Sequence, residues 1–411
     1  MGAAKLLALI GALLIVSILY DWQGLDRIIV ALLLLVTLSW AWSRVSLNRI
    51  GVKRVLLSDR VRVGEQVREE ITLMNHSWLP KLWVEIEDHS TLPGHAAGRV
   101  VSVGGKRGTS WIAETTAVRR GTYRLGPFTA AGGDPFGLFP RSREIPIEHG
   151  LVVYPVLLDV TQIGFPTATM SGGFTRNRTL ALSSPTVSSI REYAPGDPMN
   201  RIAWAASARK GELMVKEFDP DPTADLWIVL DLSEDGQFDL SDLEPASGDH
   251  EDAVRYLDST VEYIVSIGAA LAERALNDGR KVGMILNREM PVRLDADNTE
   301  RQWFRISETL ATARAFGNRS LAEALTVDNR RFTRTNGVIV VSSDPQADWV
   351  RAARSLVERQ VSVTAVIVDA GGAGPDNVTP LIERLVAAHV QVHRYPTHTA
   401  APGRPARPFR S

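Results

Sequence analysis

Two stretches near the amino terminus restrict the fold more than any other part of the chain. Residues 6–20 and 28–42 carry no charge, and Tyr20, Trp22, Trp40 and Trp42 rim them with the amphipathic rings that favour a membrane interface. Apolar runs of this length must be buried in lipid or in a core. Each strict run falls short of the roughly 20 residues that cross a bilayer, and residues 2–4 together with the aromatic ends supply the difference. No small-x-small cleavage site follows the first run, and a second run comes within seven residues, so a helical hairpin is expected over residues 1–50 rather than a signal peptide. Gly2 opens no myristoylation signal, because Leu6 stands where Ser or Thr is wanted. Lys5 precedes the first run, and Arg44, Arg49, Lys53, Arg54, Arg60 and Arg62 follow the second. The connection 21–27 holds one base against two acids. Cationic flanks stay on the cytoplasmic side, so a two-pass inner-membrane anchor with both termini cytoplasmic is expected.

The remaining chain is long enough for two cores. Of 411 residues, 45% are hydrophobic and 23% charged, with a formal net charge of -1, which gives no global attraction to nucleic acid. There is no cysteine, which excludes disulfides, thiolate metal sites and cysteine nucleophiles. Short strand-like runs at 61–63, 70–74, 83–87, 100–103, 110–118, 122–125 and 151–154, separated by turn residues, predict a small antiparallel β-sandwich over 51–155. No acid–base pair or metal-ligand spacing stands out in it. Residues 156–222 are expected to hold a connector rich in Ser, Thr, Gly and Pro and then a dense motif segment. From 223 to 396, apolar strands alternate with amphipathic helices at 226–230, 254–277, 281–286, 298–313, 321–325, 338–341, 348–359, 361–368, 378–388 and 390–393. That order predicts an α/β domain with a mostly parallel, doubly wound sheet. Residues 397–411 read as a Pro-rich disordered tail with three arginines, or less readily as a contact for an anionic membrane surface.

The motif segment packs several backbone devices together. Pro195-Gly196 is a turn dipeptide, Asp197 suits an N-cap, Pro198 suits the first helical turn, and Gly211 is placed to end a helix over 199–210. In that helix Met199, Ile202, Ala203 and Ala206 would form the apolar face. The residues Arg191-Glu-Tyr193, Pro195-Gly196-Asp197, Arg201-Ile-Ala-Trp204, Ser207-Ala-Arg209 and Gly211-Glu-Leu-Met-Val-Lys-Glu-Phe218 resemble the signature of the bacterial family named domain of unknown function 58. Gly121-Thr-Tyr-Arg-Leu-Gly-Pro127 and Asp134-Pro-Phe-Gly-Leu-Phe139 look like the same family's upstream module, and the paired apolar runs look like its anchor. Ala194 and Ala203 depart from the pattern, standing where such proteins often carry a basic or polar side chain. The resemblance implies a binding protein rather than an enzyme. It also implies a MoxR-type AAA+ ATPase as partner, with envelope or metal-dependent clients.

In a doubly wound sheet, ligands bind beyond the carboxyl ends of the strands. Asp231-Leu-Ser233-Glu-Asp235, the stretch 317–325 and Ser342-Ser343-Asp344 lie at such ends. This layout resembles a von Willebrand factor A domain, whose metal-ion-dependent adhesion site holds magnesium with an Asp-x-Ser-x-Ser loop, a later Thr and a later Asp. The resemblance points to Asp231, Ser233, Asp235, Ser320 and Asp344 as a Mg2+ site. Here Asp235 replaces the second Ser, and Ser320 stands at the Thr position. The competing reading makes Asp231 and Asp344 helix caps and has Ser233 and Ser320 satisfy backbone donors.

Other motifs are weaker. Ser207-Ala-Arg-Lys210 has the Ser-x-x-Lys form of a serine hydrolase without its companion motifs, and with the carboxylate cluster it supplies the alternative of a hydrolytic enzyme. A purely structural envelope scaffold is the third reading. Arg191, Arg201, Arg209, Lys210 and Lys216 with Tyr193 and Trp204 are interleaved with Glu192, Asp197, Glu212 and Glu217, which favours ion pairs over a nucleic-acid surface. Residues 234–252 hold eight acids without a calcium-loop order and read as a solvated insertion. No P-loop or His-Glu-x-x-His motif occurs.

Overall fold

The computed structural model describes residues 2–20, 23–166, 183–193, 202–220, 225–240, 244–245, 256–370 and 378–399. The chain divides into two compact units, Met1–Tyr154 and Pro155–Ser411, giving a mixed α/β protein.

The first unit opens with helices α1 (Gly2–Tyr20) and α2 (Gln23–Ser46). They meet through Ile10, Leu25 and Ile29, with Leu6, Leu13, Leu32 and Val36 packed around them. Most of their remaining apolar side chains stay exposed, among them Ile15, Ile18, Leu19, Leu34 and Leu38. Both helices are long and apolar enough to cross a membrane. Lys81 Nζ donates to Val45 O at 2.6 Å, and Ser43 Oγ donates to Phe139 O at 2.7 Å. A cation on the last carbonyls of α2 complements the helix dipole and fastens the helix to the strands that follow.

Three sheets make up the rest of this unit. Strands β1 (Ile50–Leu56), β3 (Gln66–Asn75) and β6 (Gly108–Thr116) form one antiparallel sheet. A second is built in the order β5-β4-β8-β9 from β4 (Lys81–Asp88), β5 (Arg99–Val103), β8 (Phe128–Gly132) and β9 (Arg141–Ile145). A small third sheet joins β2 (Arg60–Arg62), β10 (His149–Tyr154) and β7 (Gly121–Leu125). Val52, Ile71, Leu73 and Trp111 of the first sheet share one core with Val84, Ile86, Phe128 and Ala130 of the second. Period-two alternation is clear in β3, where Val67, Glu69, Ile71, Leu73 and Asn75 all point inward. The predicted runs fall on seven of these strands, and the structure adds β1, β8 and β9. Alternation of apolar residues misses them because β1 turns Arg54 inward, β8 is built on small residues and β9 reads Arg-Ser-Arg-Glu-Ile.

In the second unit, Val156, Leu158, Val160 and Ile163 are buried in the strap that opens it. Arg274 Nη1 holds that strap by donating to Val160 O at 2.7 Å and Ile163 O at 2.9 Å. Within the stretch expected to hold a connector and the motif segment, strand β11 (Ser183–Glu192) pairs with β12 (Met214–Pro220). Between them, α3 spans Trp204–Lys210. The expected helix over 199–210 is therefore shorter. Ile202 bridges Val215, and Ala203 N donates to Met214 O at 2.8 Å, so these two residues follow the β12 edge instead of forming a helical face. Gly211 ends α3 in the left-handed region at φ 79°, as expected. Met199 and the predicted N-cap Asp197 lie outside the described residues.

The centre of the unit is a six-stranded sheet. Its strands are β13 (Leu226–Asp231), β15 (Val282–Asn287), β16 (Val292–Asp297), β17 (Gly337–Ser342), β18 (Ser362–Asp369) and β19 (Gln391–Pro396), in the spatial order β16-β15-β13-β17-β18-β19. All neighbours are parallel except β16, which runs antiparallel to β15. Helices α4 (Thr260–Asn277) and α5 (Glu300–Ala311) cover one face, with Gly268 lying directly against the Leu230 side chain. On the other face, α6 (Leu321–Val327), α7 (Val350–Glu358) and α8 (Thr379–Ala387) bury Leu325, Trp349, Ala353, Leu381 and Leu385 against Trp227, Val229, Val340 and Ala365. Residues on both sides of each central strand are thus buried, which explains their unbroken apolar sequences. The sequence reading lacks β16, an edge strand whose Arg293 and Asp295 pair with Asp328 and Arg331. The helix expected from 254 begins at Thr260, where Thr260 Oγ1 accepts from Phe238 N at 2.9 Å. The expected tail also starts later. Thr397 is buried and Oγ1 donates to Asp369 O at 2.9 Å, while β20 (His398–Thr399) pairs with β14 (Glu244–Pro245). The rest of the tail and most of the acidic insertion lie outside the described residues.

Candidate functional site at the strand ends

Chain order runs from β13 outward to β15 and β16, then returns past β13 to β17, so the topology switches between β13 and β17. A crevice beyond the carboxyl ends of those two strands is where such a sheet binds ligands. Asp231 closes β13 there and is fully buried. Its Oδ2 accepts from Ser342 Oγ at 2.7 Å. Its Oδ1 accepts from Ser233 Oγ at 3.1 Å and Asn287 Nδ2 at 3.2 Å. Asn287 also donates to Arg319 O at 3.0 Å, and Glu234 N donates to Gly317 O at 2.9 Å, which ties the loop before α6 to the Asp231 loop.

A second layer holds the loops in place. Gln237 Nε2 donates to Asp231 O at 3.0 Å, and Thr260 Oγ1 donates to Gln237 Oε1 at 2.8 Å. Ser343 Oγ donates to Gly236 O at 2.5 Å. Asp344 follows on the β17 loop, with Asp344 N donating to Ser342 Oγ at 3.0 Å and Asp344 Oδ1 accepting from Gln346 N at 2.8 Å. A Cβ on Gly236 would stand 2.9 Å from Asp344 Cβ, so glycine lets the two loops approach.

The electrostatics are one-sided. Burial pushes the Asp231 carboxyl upward, against the bonds from Ser342, Asn287 and Ser233 that favour its ionised form. Burial also raises Asp344, to about 6, with the charges of Asp231, Asp348 and Asp235 adding to the rise over the opposing bond from Gln346. Among the described residues, no basic side chain pairs with Asp231, Asp235 or Asp344. The structure therefore brings Asp231, Ser233 and Asp344 together at the carboxyl ends of β13 and β17. Asp235 lies exposed on the loop after β13. Ser320 is placed differently: its Oγ caps α6 by accepting from Ala322 N at 3.1 Å and donates to Asp348 Oδ2 at 2.9 Å. Pattern matching placed Ser342 at the strand end without giving it a role, and it missed Asn287, Gln237 and Thr260, because each is contributed by a different element and no local motif marks it.

The motif segment gives less. Arg191 occupies a β11 position opposite Val215, and Tyr193 N donates to Leu213 O at 2.9 Å. Trp204, at the start of α3, is 65% exposed, and Arg209 lies exposed in its last turn. Gly196, Asp197 and Arg201 lie outside the described residues. Ser207 and Lys210 have separate partners. Ser207 Oγ donates to Ala203 O at 3.1 Å and accepts from Met214 N at 2.9 Å, while Lys210 Nζ donates to Glu192 Oε1 at 2.8 Å.

The first unit holds a cluster where no such pairing was expected. Arg54 Nε lies 2.9 Å from Glu69 Oε2, and Arg54 Nη2 lies 2.8 Å from Asp88 Oδ2. His95 Nε2 lies 3.2 Å from Glu69 Oε1 and 2.9 Å from Asp88 Oδ2. All four side chains are buried. Burial alone would lower His95, but its contacts with Asp88 and Glu69 raise it to about 9. Burial would likewise raise Asp88, and its bonds with His95, Ser90 and Arg54 bring it down to about 2 instead. Glu69, Asp88 and His95 have the spacing of metal ligands, yet Arg54 and protonated His95 already balance both carboxylates. The paired residues are 7 to 34 positions apart in sequence, on separate strands and a loop, so no single spacing could reveal them.

Residues 189–372 match the family model described as "Protein of unknown function DUF58". That stretch, 184 of the chain's 411 residues, is similar to the DUF58 family. The DUF58 match covers the motif segment, the Asp231 cluster and β13 through β18. Uncharacterized protein YeaD of Bacillus subtilis is 24% identical over 247 residues, covering 58% of this chain and 56% of that protein. Uncharacterized protein Rv1480 of Mycobacterium tuberculosis is 26% identical over 187 residues, covering 44% of this chain and 53% of that protein. The chain thus spans about half the length of these relatives. Among solved structures, the CARDB domain of the Pyrococcus furiosus PF1109 protein matches 25% of the chain at 16% identity with a TM-score of 0.20, too low to assign a fold.

Proposed function

We propose that this chain is a membrane-anchored binding protein, held by α1 and α2 with both termini on the cytoplasmic side, whose second unit is a von Willebrand factor A-like domain. The first unit then serves as a β-sandwich docking module. The observation that carries the reading is the pair Asp231 and Asp344 at the topological switch point, raised together and, among the described residues, without a basic partner. A hard divalent cation relieves that uncompensated charge, and the donors are the oxygens it prefers. Asp231, Ser233 and Asp344 would hold magnesium, with Asp235 on the loop after β13 and Ser320 contributing through the α6 loop. The ion would leave an open position for a partner's carboxylate. The family resemblance supports a MoxR-type AAA+ ATPase as that partner and envelope proteins as clients.

Capture of the tagged protein from membranes in magnesium, repeated in chelator, tests the reading. An AAA+ ATPase that accompanies the protein in magnesium and is lost in chelator, and lost again on Asp231→Ala, is the expected result. Equal capture under all three conditions would remove the metal site from the mechanism.

A further inference from the structure

We propose that the end of the first unit nearest the last turn of α2 is a contact surface for anionic lipid headgroups, built by the loops 76–80, 104–107 and 133–140. Each loop is fastened to the end of that helix or to a neighbour that is. Ser43 Oγ donates to Phe139 O, and Arg141 Nη1 donates to Arg44 O at 3.2 Å. Lys81 Nζ donates to Val45 O, and His76 N donates to Arg49 O at 2.9 Å. Lys106 N donates to Ser77 O at 2.8 Å, which joins the second loop to the first.

These attachments fix a depth. Trp40 and Trp42 mark the membrane interface on α2, and Val45 lies beyond Trp42 by about 4.5 Å of helix axis. A bilayer of about 40–45 Å with a hydrocarbon core of about 30 Å leaves a headgroup layer of about 5–8 Å on each side. Loops fastened between Ser43 and Arg49 therefore stand at that layer. The inference rests on the anchoring proposed above for α1 and α2.

What the loops present fits the position. Trp78 is 79% exposed and Phe136 is 65% exposed, yet both stand on ordered backbone. Asn75 Nδ2 donates to Leu79 O at 2.9 Å and to Gly104 O at 3.0 Å, while its Oδ1 accepts from Ser77 N at 3.0 Å. The Asp134 carboxylate accepts from Phe136 N at 3.1 Å, Leu138 N at 3.2 Å and Phe139 N at 2.6 Å. Rings held out in this way favour a membrane interface, and loops already fixed lose little entropy on contact. Arg44, Arg49, Lys106, Arg107 and Arg141 surround them, all exposed. Residues 43–50, 76–81, 104–108 and 133–141 hold a single acid, Asp134, which is buried and engaged by those backbone amides. Among the described residues, none of the five exposed bases forms an ion pair. The far end of the same sheet, about 20 Å along β1, mixes Asp59 and Glu65 with Arg60 and Arg62. Charge of one sign, interleaved with exposed rings, attracts anionic headgroups. The fastening to α2 sets the bilayer, rather than another macromolecule, against this end.

The test uses the full-length protein, in which the absence of cysteine lets a single introduced cysteine carry a nitroxide label. Labels replace Trp78, Phe136, Leu34 on α2, and Leu57, which is 69% exposed beyond the far end of β1. Each labelled protein is placed in phosphatidylcholine bilayers with or without phosphatidylglycerol. Accessibility is read with oxygen, which partitions into lipid, and with a water-soluble nickel chelate. With phosphatidylglycerol, the oxygen-to-nickel ratio at Trp78 and Phe136 is expected above that at Leu57 and below that at Leu34. Without it, or with Lys106→Glu and Arg107→Glu, the ratio should fall to the Leu57 value while Leu34 stays unchanged. A lipid-exposed Leu34 label with Trp78 and Phe136 labels that match Leu57 overturns the surface and leaves the anchor standing. A water-exposed Leu34 label ends the anchor reading and the surface with it. A ratio that survives neutral lipid and the glutamate pair overturns the proposal, and so does low accessibility to both reagents at Trp78, the sign of a covering protein.

Discussion

His95 and Asp344 respond to protons in opposite senses. The proton on His95 is stabilised by Glu69 and Asp88, so its folded value, about 9, lies above the unfolded 6.5. Its contribution is fully present below 6.5 and lost as pH rises through 9; Asp88 contributes above 3.8 and loses its effect as pH falls through 2. Thermal melts of the first unit followed across the 6.5 to 9 window should show a falling midpoint, and His95→Gln should flatten that fall. Arg54→Met should cost about 3–5 kcal/mol, measured by denaturant unfolding, because it strands two buried carboxylates. For Asp344 the unfolded carboxyl ionises more readily than the folded one, so folding stability declines as pH rises from 3.8 through 6. Asp344→Asn should therefore raise the cation-free melting temperature of the second unit at neutral pH and abolish any rise produced by magnesium. A variant that melts lower than the parent would show that Asp344 is held by contacts stronger than the repulsion described.

Among the elements, the loop before α6 carries the most consequence. Gly317 has φ 74°, and a Cβ there would stand 2.4 Å from Glu289 Cβ. Gly317→Ala is strained twice over, by backbone and by collision, and should cost about 1–3 kcal/mol. Since Gly317 O accepts from Glu234 N and Arg319 O from Asn287, the shift should reach the Asp231 loop. Denaturant unfolding gives the stability loss, and a magnesium titration of the variant gives the effect on the Asp231 cluster. A variant with unchanged stability and titration would mean the loop relaxes without transmitting the strain. Edge elements show why parts of the fold escaped the sequence reading. β16 and β9 carry charges on residues that an alternation rule scores as loop, and Ile202 looks helical by spacing while the adjacent β12 edge claims it.

For the whole molecule, deletion of residues 2–46 removes both long apolar helices and, if they anchor the chain as proposed, should move the protein from the membrane pellet to the soluble fraction. Retention in the pellet after a high-salt wash would place membrane attachment elsewhere in the chain. The sequence determined the features that local pattern encodes. Two uncharged runs make two long apolar helices, an alternating order of strands and helices makes a layered α/β unit, and a glycine after Lys210 ends a helix. Asp231, Ser233 and Asp344 were legible as candidates because strand ends in such a sheet converge. Tertiary structure alone decided which polar groups meet. Asn287, Gln237 and Ser342 reach Asp231 from three places in the chain, Ser320 turns to Asp348, and Arg54, Glu69, Asp88 and His95 close into one buried group. Periodicity records which face of an element is buried, whereas strand order and register determine which buried groups become neighbours.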